Sequence, residues 1–141
     1  MEDFLSKKIY TEHLVRKPDF SMACDHAHNY YEFYYLYSGN CVFSVNGTLY
    51  PLSAGDAFLV VPEDYHFTCY EGDVPCERTT VYFYKDMLSP SFMDVHPELA
   101  ETLSKSGKIA LLKDKQPLIE TILKQIQLKD RESIFQTLFD P

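Results

Sequence analysis

His26 and His28 flank a single alanine, Glu32 follows after three residues, and six residues separate Glu32 from Gly39. A further histidine, His66, comes a short run after Gly55-Asp56. Brought to one wall, three imidazoles and a carboxylate make a complete ligand set for a divalent transition metal. The same groups form a polar cluster able to grip a small ligand by hydrogen bonds. The chain has no glycine-rich phosphate loop, and nothing pairs a serine or cysteine with a histidine as nucleophile.

Convergence depends on the backbone that carries these residues. His28 and Glu32 are four apart, a spacing that one face of a helix would also satisfy. Their neighbours favour a strand: Tyr30, Tyr31, Phe33, Tyr34, Tyr35 and Tyr37 form a dense aromatic run, and aromatics suit a pleated, half-buried surface. Alternate residues of a strand share a face, so His26, His28 and Glu32 are expected on one side with Tyr30, Tyr34 and Leu36. Tyr30 and Tyr34 thereby become candidate ligand-binding residues beside Glu32 and His66, with rings to stack on a sugar and hydroxyls to bond it. Most of the eleven tyrosines are expected to fill the core, because the chain has no tryptophan. His13 and His96 fall outside the pattern and are expected at the surface.

The elements that must position this wall read as short strands with turn signals. Tyr30–Tyr37 ends at Ser38-Gly39-Asn40, and Cys41–Val45 meets Thr48–Leu52 across Asn46-Gly47, the strongest short hairpin signal. Ala57–Val61 is continuously apolar, as in a strand buried on both faces. His66–Tyr70 and Arg78–Tyr84 complete the set across a Gly72–Pro75 loop, and Ile9–Val15 is a candidate edge strand. Beyond Asp86 the pattern changes. Met87–Phe92 reads as irregular, and a short helical segment is expected from His96 through Leu103, with Gly107 as its stop. Ile109–Leu112 reads as extended. A helix capped by Asp114 carries Leu118, Ile119, Ile122, Leu123 and Ile126 in one stripe. A second helical segment, Arg131–Phe139, carries Ile134, Phe135, Leu138 and Phe139.

Composition bounds the class. The chain has 141 residues, 45% apolar, enough for one domain with a real core. The longest apolar runs are a few residues, so no membrane span is expected, and the N-terminus lacks the features of a signal peptide. Cys24, Cys41, Cys69 and Cys76 form no metal-binding pattern and read as reduced core thiols of a cytoplasmic protein. Net charge is −8, and between Pro18 and Tyr84 nine acidic residues face one basic residue, Arg78. A surface this acidic repels phosphate, so this part is not expected to bind nucleic acid.

His26-x-His28-x3-Glu32-x6-Gly39 resembles the first motif of the cupin superfamily, with Phe20 where that motif's leading glycine would stand. Gly55-Asp56-Ala57-Phe58-Leu59-Val60-Val61-Pro62, followed by His66, resembles the second motif; Glu63 and Asp64 stand where its turn glycine is expected. The Gly-Asp-x-Phe-Leu-x-x-Pro wording is similar to the N-terminal sensory domain of AraC-type transcription regulators. The resemblance implies a mainly β cupin-like double-stranded β-helix, or jelly-roll barrel, followed by C-terminal helices. It places the barrel in residues 1–95, with its core at 19–85, and a helical linker and dimerisation segment in 96–141. It implies a metal set of His26, His28, Glu32 and His66 for Zn, Ni, Fe, Mn or Co, and a small-molecule effector. It further implies a homodimer made through Leu118, Ile122 and Ile126. Contact with DNA would belong to a helix-turn-helix domain beyond this chain; a stand-alone cupin lacks one. The alternative implied by the same ligand set is a metal-dependent cupin enzyme, a dioxygenase or isomerase.

Overall fold

The computed structural model describes residues 9–17 and 25–139. Among these, eight strands form two antiparallel sheets. The strands are β1 (Tyr10–Arg16), β2 (Tyr31–Ser38), β3 (Asn40–Val45), β4 (Thr48–Ser53), β5 (Ala57–Val60), β6 (His66–Glu71), β7 (Cys76–Phe83) and β8 (Gly107–Ile109). The larger sheet has the order β1-β7-β2-β5-β8 and the smaller β4-β3-β6. This is a mainly β jelly roll with C-terminal helices, as the motifs imply.

The Asn46-Gly47 turn has φ 48° and 86°, the left-handed pair that a two-residue hairpin requires. It sets the β3–β4 register of Val45 opposite Thr48. Gly39 also sits at positive φ, 85°, and a Cβ there would come within 2.5 Å of Cys76 Sγ. The motif glycine is therefore fixed by both backbone and packing.

The two sheets close on Tyr34, Leu36, Phe58, Val60 and Cys76 from the larger, and Cys41, Phe43, Val45, Leu52 and Tyr70 from the smaller. Phe43 stacks on Phe58 with centroids 4.6 Å apart, and Tyr34 meets Phe43 edge-on at 4.7 Å. The larger sheet is also covered outside. Tyr35, Ala57 and Val81 pack with Leu123, and Tyr31 and Leu59 with Leu103. Burial on both faces explains why β5 is apolar at every position. Cys41 and Cys76 are buried and Cys69 half-buried, all as free thiols; burial pushes the Cys41 thiol up to about 12, so it is unreactive. Cys24 and Phe20 lie outside the described residues.

The C-terminal part departs from expectation in four places. Met87–Phe92 is not irregular: a 3₁₀ turn at Lys85–Met87 leads into helix α1 (Pro90–Val95). Ser89 caps α1 by accepting from the Phe92 amide, and Pro90 occupies the first turn, where its missing N–H costs nothing. The next helix, α2 (Pro97–Thr102), matches the expected span to within a residue at each end, but Gly107 opens β8 instead of stopping the helix. Asp114 is no cap; it lies inside a 3₁₀ turn, Lys113–Lys115. Finally, one continuous helix, α3 (Gln116–Phe139), replaces the two segments. The 127–131 region is rich in good helix formers and has no glycine or proline to break it. The side chains of Ile134, Phe135, Leu138 and Phe139 lie outside the description. No described helix is long and apolar enough to cross a membrane.

A candidate metal centre at the barrel mouth

Register brings the four predicted side chains together. His26 forms a reciprocal backbone bridge with His66, N to O at 3.0 and 2.9 Å. Glu32 lies near the start of β2, opposite Val60 of β5 and Tyr82 of β7. The candidate ligand atoms of His26, His28, Glu32 and His66 all lie within 4.8 Å of one another. The second motif's turn keeps its shape without its glycine. Glu63 takes the left-handed φ of 74°, and its amide donates to the His28 carbonyl at 2.8 Å. That bond ties the two motifs together.

Two imidazoles are oriented from behind. His28 Nδ1 lies 2.9 Å from the Tyr30 carbonyl, and His66 Nδ1 lies 2.9 Å from the Asp64 carbonyl. A carbonyl oxygen only accepts, so each Nδ1 carries the hydrogen, and the neutral ring presents a lone pair at Nε2. Those Nε2 atoms face a carboxylate: Glu32 Oε1 is 3.2 Å from His28 Nε2 and 3.5 Å from His66 Nε2. Lone pairs turned toward a carboxylate need a proton or a cation between them. His66 Nε2 is buried and has no hydrogen-bond partner among the described residues. The donor set, the backside hydrogen bonds and this orphaned nitrogen all fit a divalent transition metal.

The electrostatics agree. Glu32 is 8% exposed, and burial, the largest influence on it, disfavours its charge. Contacts with His28 and then His66 outweigh burial and hold the carboxyl down to about 2. For His66 burial likewise opposes charge, but Glu32 and the Asp64 carbonyl overcome it and raise the imidazolium's pKa. A metal-free cluster thus binds protons where a loaded one would bind a cation.

Aromatic rings form the rim. Tyr30 stacks on His28 at 3.9 Å with planes 2° apart, and Tyr82 meets both rings edge-on, 6.3 Å from His28 and 5.5 Å from Tyr30. Burial, then the Glu32 charge, raises the pKa of both phenols, which stay protonated and able to donate. Tyr34 sits one pleat deeper at 2% exposure, its hydroxyl donating to Tyr70 at 3.2 Å. Sequence reasoning missed Tyr82. The signal was its even parity with Arg78 on the same strand, but only the register Tyr82 opposite Glu32 places it at the cluster. Arg78 is no surface charge: it is buried, and its Nη2 donates to Glu12 at 2.7 Å. His13 is half-buried and pairs with Glu77 at 2.7 Å; His96 is near the surface, 3.3 Å from Glu98.

Two surface hollows, of about 730 and 610 Å³, lie elsewhere, one between α3 and the sheet and one beside α2 and β8. Neither includes a cluster residue. Donor chemistry, not hollow volume, makes the cluster the candidate site.

Fold and motifs define a cupin barrel, with the four-residue cluster as its candidate site. Within that class, the chain belongs to the AraC-like ligand binding domain family, whose model matches residues 13–129. That span covers barrel and helices together. Among solved structures the chain is similar to a cupin protein from Bacteroides fragilis, at 19% identity and TM-score 0.55, covering 63% of this chain and 77% of that one. It is similar to a predicted oxalate decarboxylase from Thermotoga maritima, at 22% identity and TM-score 0.52, covering 60% and 74%. It is also similar to a salicylate 1,2-dioxygenase from Pseudaminobacter salicylatoxidans, at 21% identity and TM-score 0.50, covering 54% and 22%. At these identities the likeness shows the shared fold alone. No curated protein matches the sequence.

Proposed function

We propose that this chain is the effector-sensing and dimerisation domain of a cytoplasmic AraC-type bacterial transcription regulator. The barrel core, 19–85, takes a small molecule at its mouth, and 96–141 is the helical dimerisation segment. His26, His28, Glu32 and His66 form the site's floor and hold a divalent metal; Tyr30 and Tyr82 form its rim, where a sugar ring would stack. Tyr34 supports the floor from below. A bound metal supplies a Lewis-acidic anchor for an effector oxygen. The four ligands orient that anchor, and the tyrosyl hydroxyls donate to the effector.

What supports this reading most is the span of the family match, which runs through the barrel and the helix packed on its back. Reading the gene onward from codon 141 tests the regulator assignment. Two helix-turn-helix motifs within the next hundred codons or so are expected; an open reading frame that continues without them would contradict it.

Dimerisation is assigned to the exposed edge of α3. Leu118 and Ile122 are 53% and 45% exposed, whereas Ile126 is half-buried on the same helix. Replacing Leu118 and Ile122 with alanine should lower the mass in solution toward that of a monomer. An unchanged sedimentation coefficient would refute the assignment.

A second reading, a metal-dependent cupin enzyme, is favoured by the complete, pre-oriented ligand set. Loading with iron or manganese and testing for oxygen uptake with small acids separates the two; turnover would favour the enzyme.

A further inference from the structure

Helix α3 has a thin hold on the barrel. Over the part whose side chains are described, residues 116–129, Leu123 is its one buried side chain; Ile119 and Ile126 are half-buried. Beside Leu123 lies the hollow of about 730 Å³, lined by His13, Tyr37 and Glu77 from the sheet and by Thr121, Lys124 and Leu128 from the helix. The hollow opens to solvent and separates this edge of the helix from the sheet. Two hydrogen bonds cross the seat: at the helix start Gln116 Nε2 donates to the Gly55 carbonyl at 3.4 Å, and further along the shorter bond runs from the Tyr35 hydroxyl to Glu120 Oε2 at 2.8 Å. Tyr35 is fully buried, and its ring is held by Tyr37, edge-on at 5.0 Å. Tyr37 is in turn fixed by donating to Thr79 at 3.0 Å. Tyr35 lies on β2, the central strand of the larger sheet, three residues beyond Glu32 and on the opposite face.

We propose that the Tyr35–Glu120 hydrogen bond sets the seating of α3 and passes changes at the Glu32 cluster, on the other face of β2, to the helix. The proposal rests on the sensor reading for its purpose, but the contact itself does not. A displacement of Glu32 shifts β2, and β2 carries the phenol that fixes α3. The sparse apolar contact and the adjacent hollow leave the helix room to respond. Tyr35 is a positioning residue, because it touches no ligand.

Hydrogen exchange of the 116–129 amides in the full chain tests this, with β3 and β6 as internal controls. Tyr35→Phe removes one oxygen and keeps the ring. It should speed helix exchange roughly tenfold, as loss of a hydrogen bond to a charged acceptor does, and leave β3 and β6 unchanged. Glu120→Gln keeps an acceptor oxygen but loses its charge and should fall between wild type and Tyr35→Phe, whereas Glu120→Ala should match Tyr35→Phe. Helix exchange in Tyr35→Phe equal to wild type would overturn the proposal. Coupling is read from a double-mutant cycle with Glu32→Gln, which perturbs the cluster without requiring any metal. Glu32→Gln should alter helix exchange in the wild-type background and have little effect in the Tyr35→Phe background; equal effects in both would overturn the relay. If the cycle couples but zinc does not bind, the metal assignment fails and the relay stands.

Discussion

On its inner face β2 presents Glu32, a buried carboxylate ringed by imidazoles; three residues on, its outer face presents Tyr35, a buried hydroxyl reaching to a helix. The inner site is over-determined. Backbone bridges, a strained turn at Glu63 and two carbonyl-anchored rings hold it in place. The outer seat is less determined, with one buried leucine, two hydrogen bonds and a hollow beside it. Rigid geometry suits a group that must bind selectively, and a loosely held element suits one that must move. One strand serving both faces places a binding site and a responsive element a few residues apart.

The contrast between the faces vanishes if the sheets themselves come apart. Phe43 is fully buried and stacks across the sheets on Phe58, so Phe43→Ala should cost about 3–5 kcal/mol in urea unfolding. Both faces should be lost together; survival of zinc binding in the unfolded range would show that the cluster does not depend on the barrel.

Leu123→Ala separates the two faces. This change should destabilise by about 2 kcal/mol, the low end for a buried leucine, because the neighbouring hollow already loosens the seat. Zinc affinity should be unchanged. A large loss of metal binding instead would mean that the two faces are a single packed unit.

The smallest effect is one of pH. In the metal-free protein Glu32 is held at about 2 against an ordinary 4.5, so its stabilisation is present above 4.5 and is lost as pH falls toward 2. His66 is raised above its ordinary 6.5, so its stabilisation is complete below 6.5 and fades as pH climbs through the raised value. The pair should therefore favour stability between 4.5 and 6.5 in the presence of chelator, read as a maximum in the urea midpoint across that window. Zinc should reverse the trend, stabilising more as pH rises, because bound imidazoles must be unprotonated. Parallel pH profiles with and without zinc would contradict proton–metal competition.

The inner face was legible in the sequence to a degree that the outer was not. The spacing of the two motifs pointed to His26, His28, Glu32 and His66, and Asn46-Gly47 marked its hairpin outright; strand parity, however, holds only from Tyr31, where β2 begins, and the two histidines precede a bend at Asn29-Tyr30, with His26 held by its bridge to His66. Motif spacing and turn chemistry are local signals. The hydrogen bonds that orient the rings go to the backbone carbonyls of Tyr30 and Asp64, which no side-chain pattern reveals. Tyr82 and Arg78 reach the interior only through the register of β7, a long-range property. Sequence periodicity makes the stripe on α3 one face, yet docking divides it: Leu123 turns to the sheet while Leu118 and Ile122 stay exposed. Helical period alone cannot say which edge of a broad apolar face meets a partner.

Whether the four-residue cluster holds a metal is decided by calorimetric titration of chelator-treated protein with zinc. One equivalent should bind near neutral pH. Affinity should be at least about a hundredfold weaker in His66→Ala, since losing even a residue that merely orients a ligand costs up to that much. Absence of binding, or binding that His66→Ala leaves intact, would contradict the metal centre.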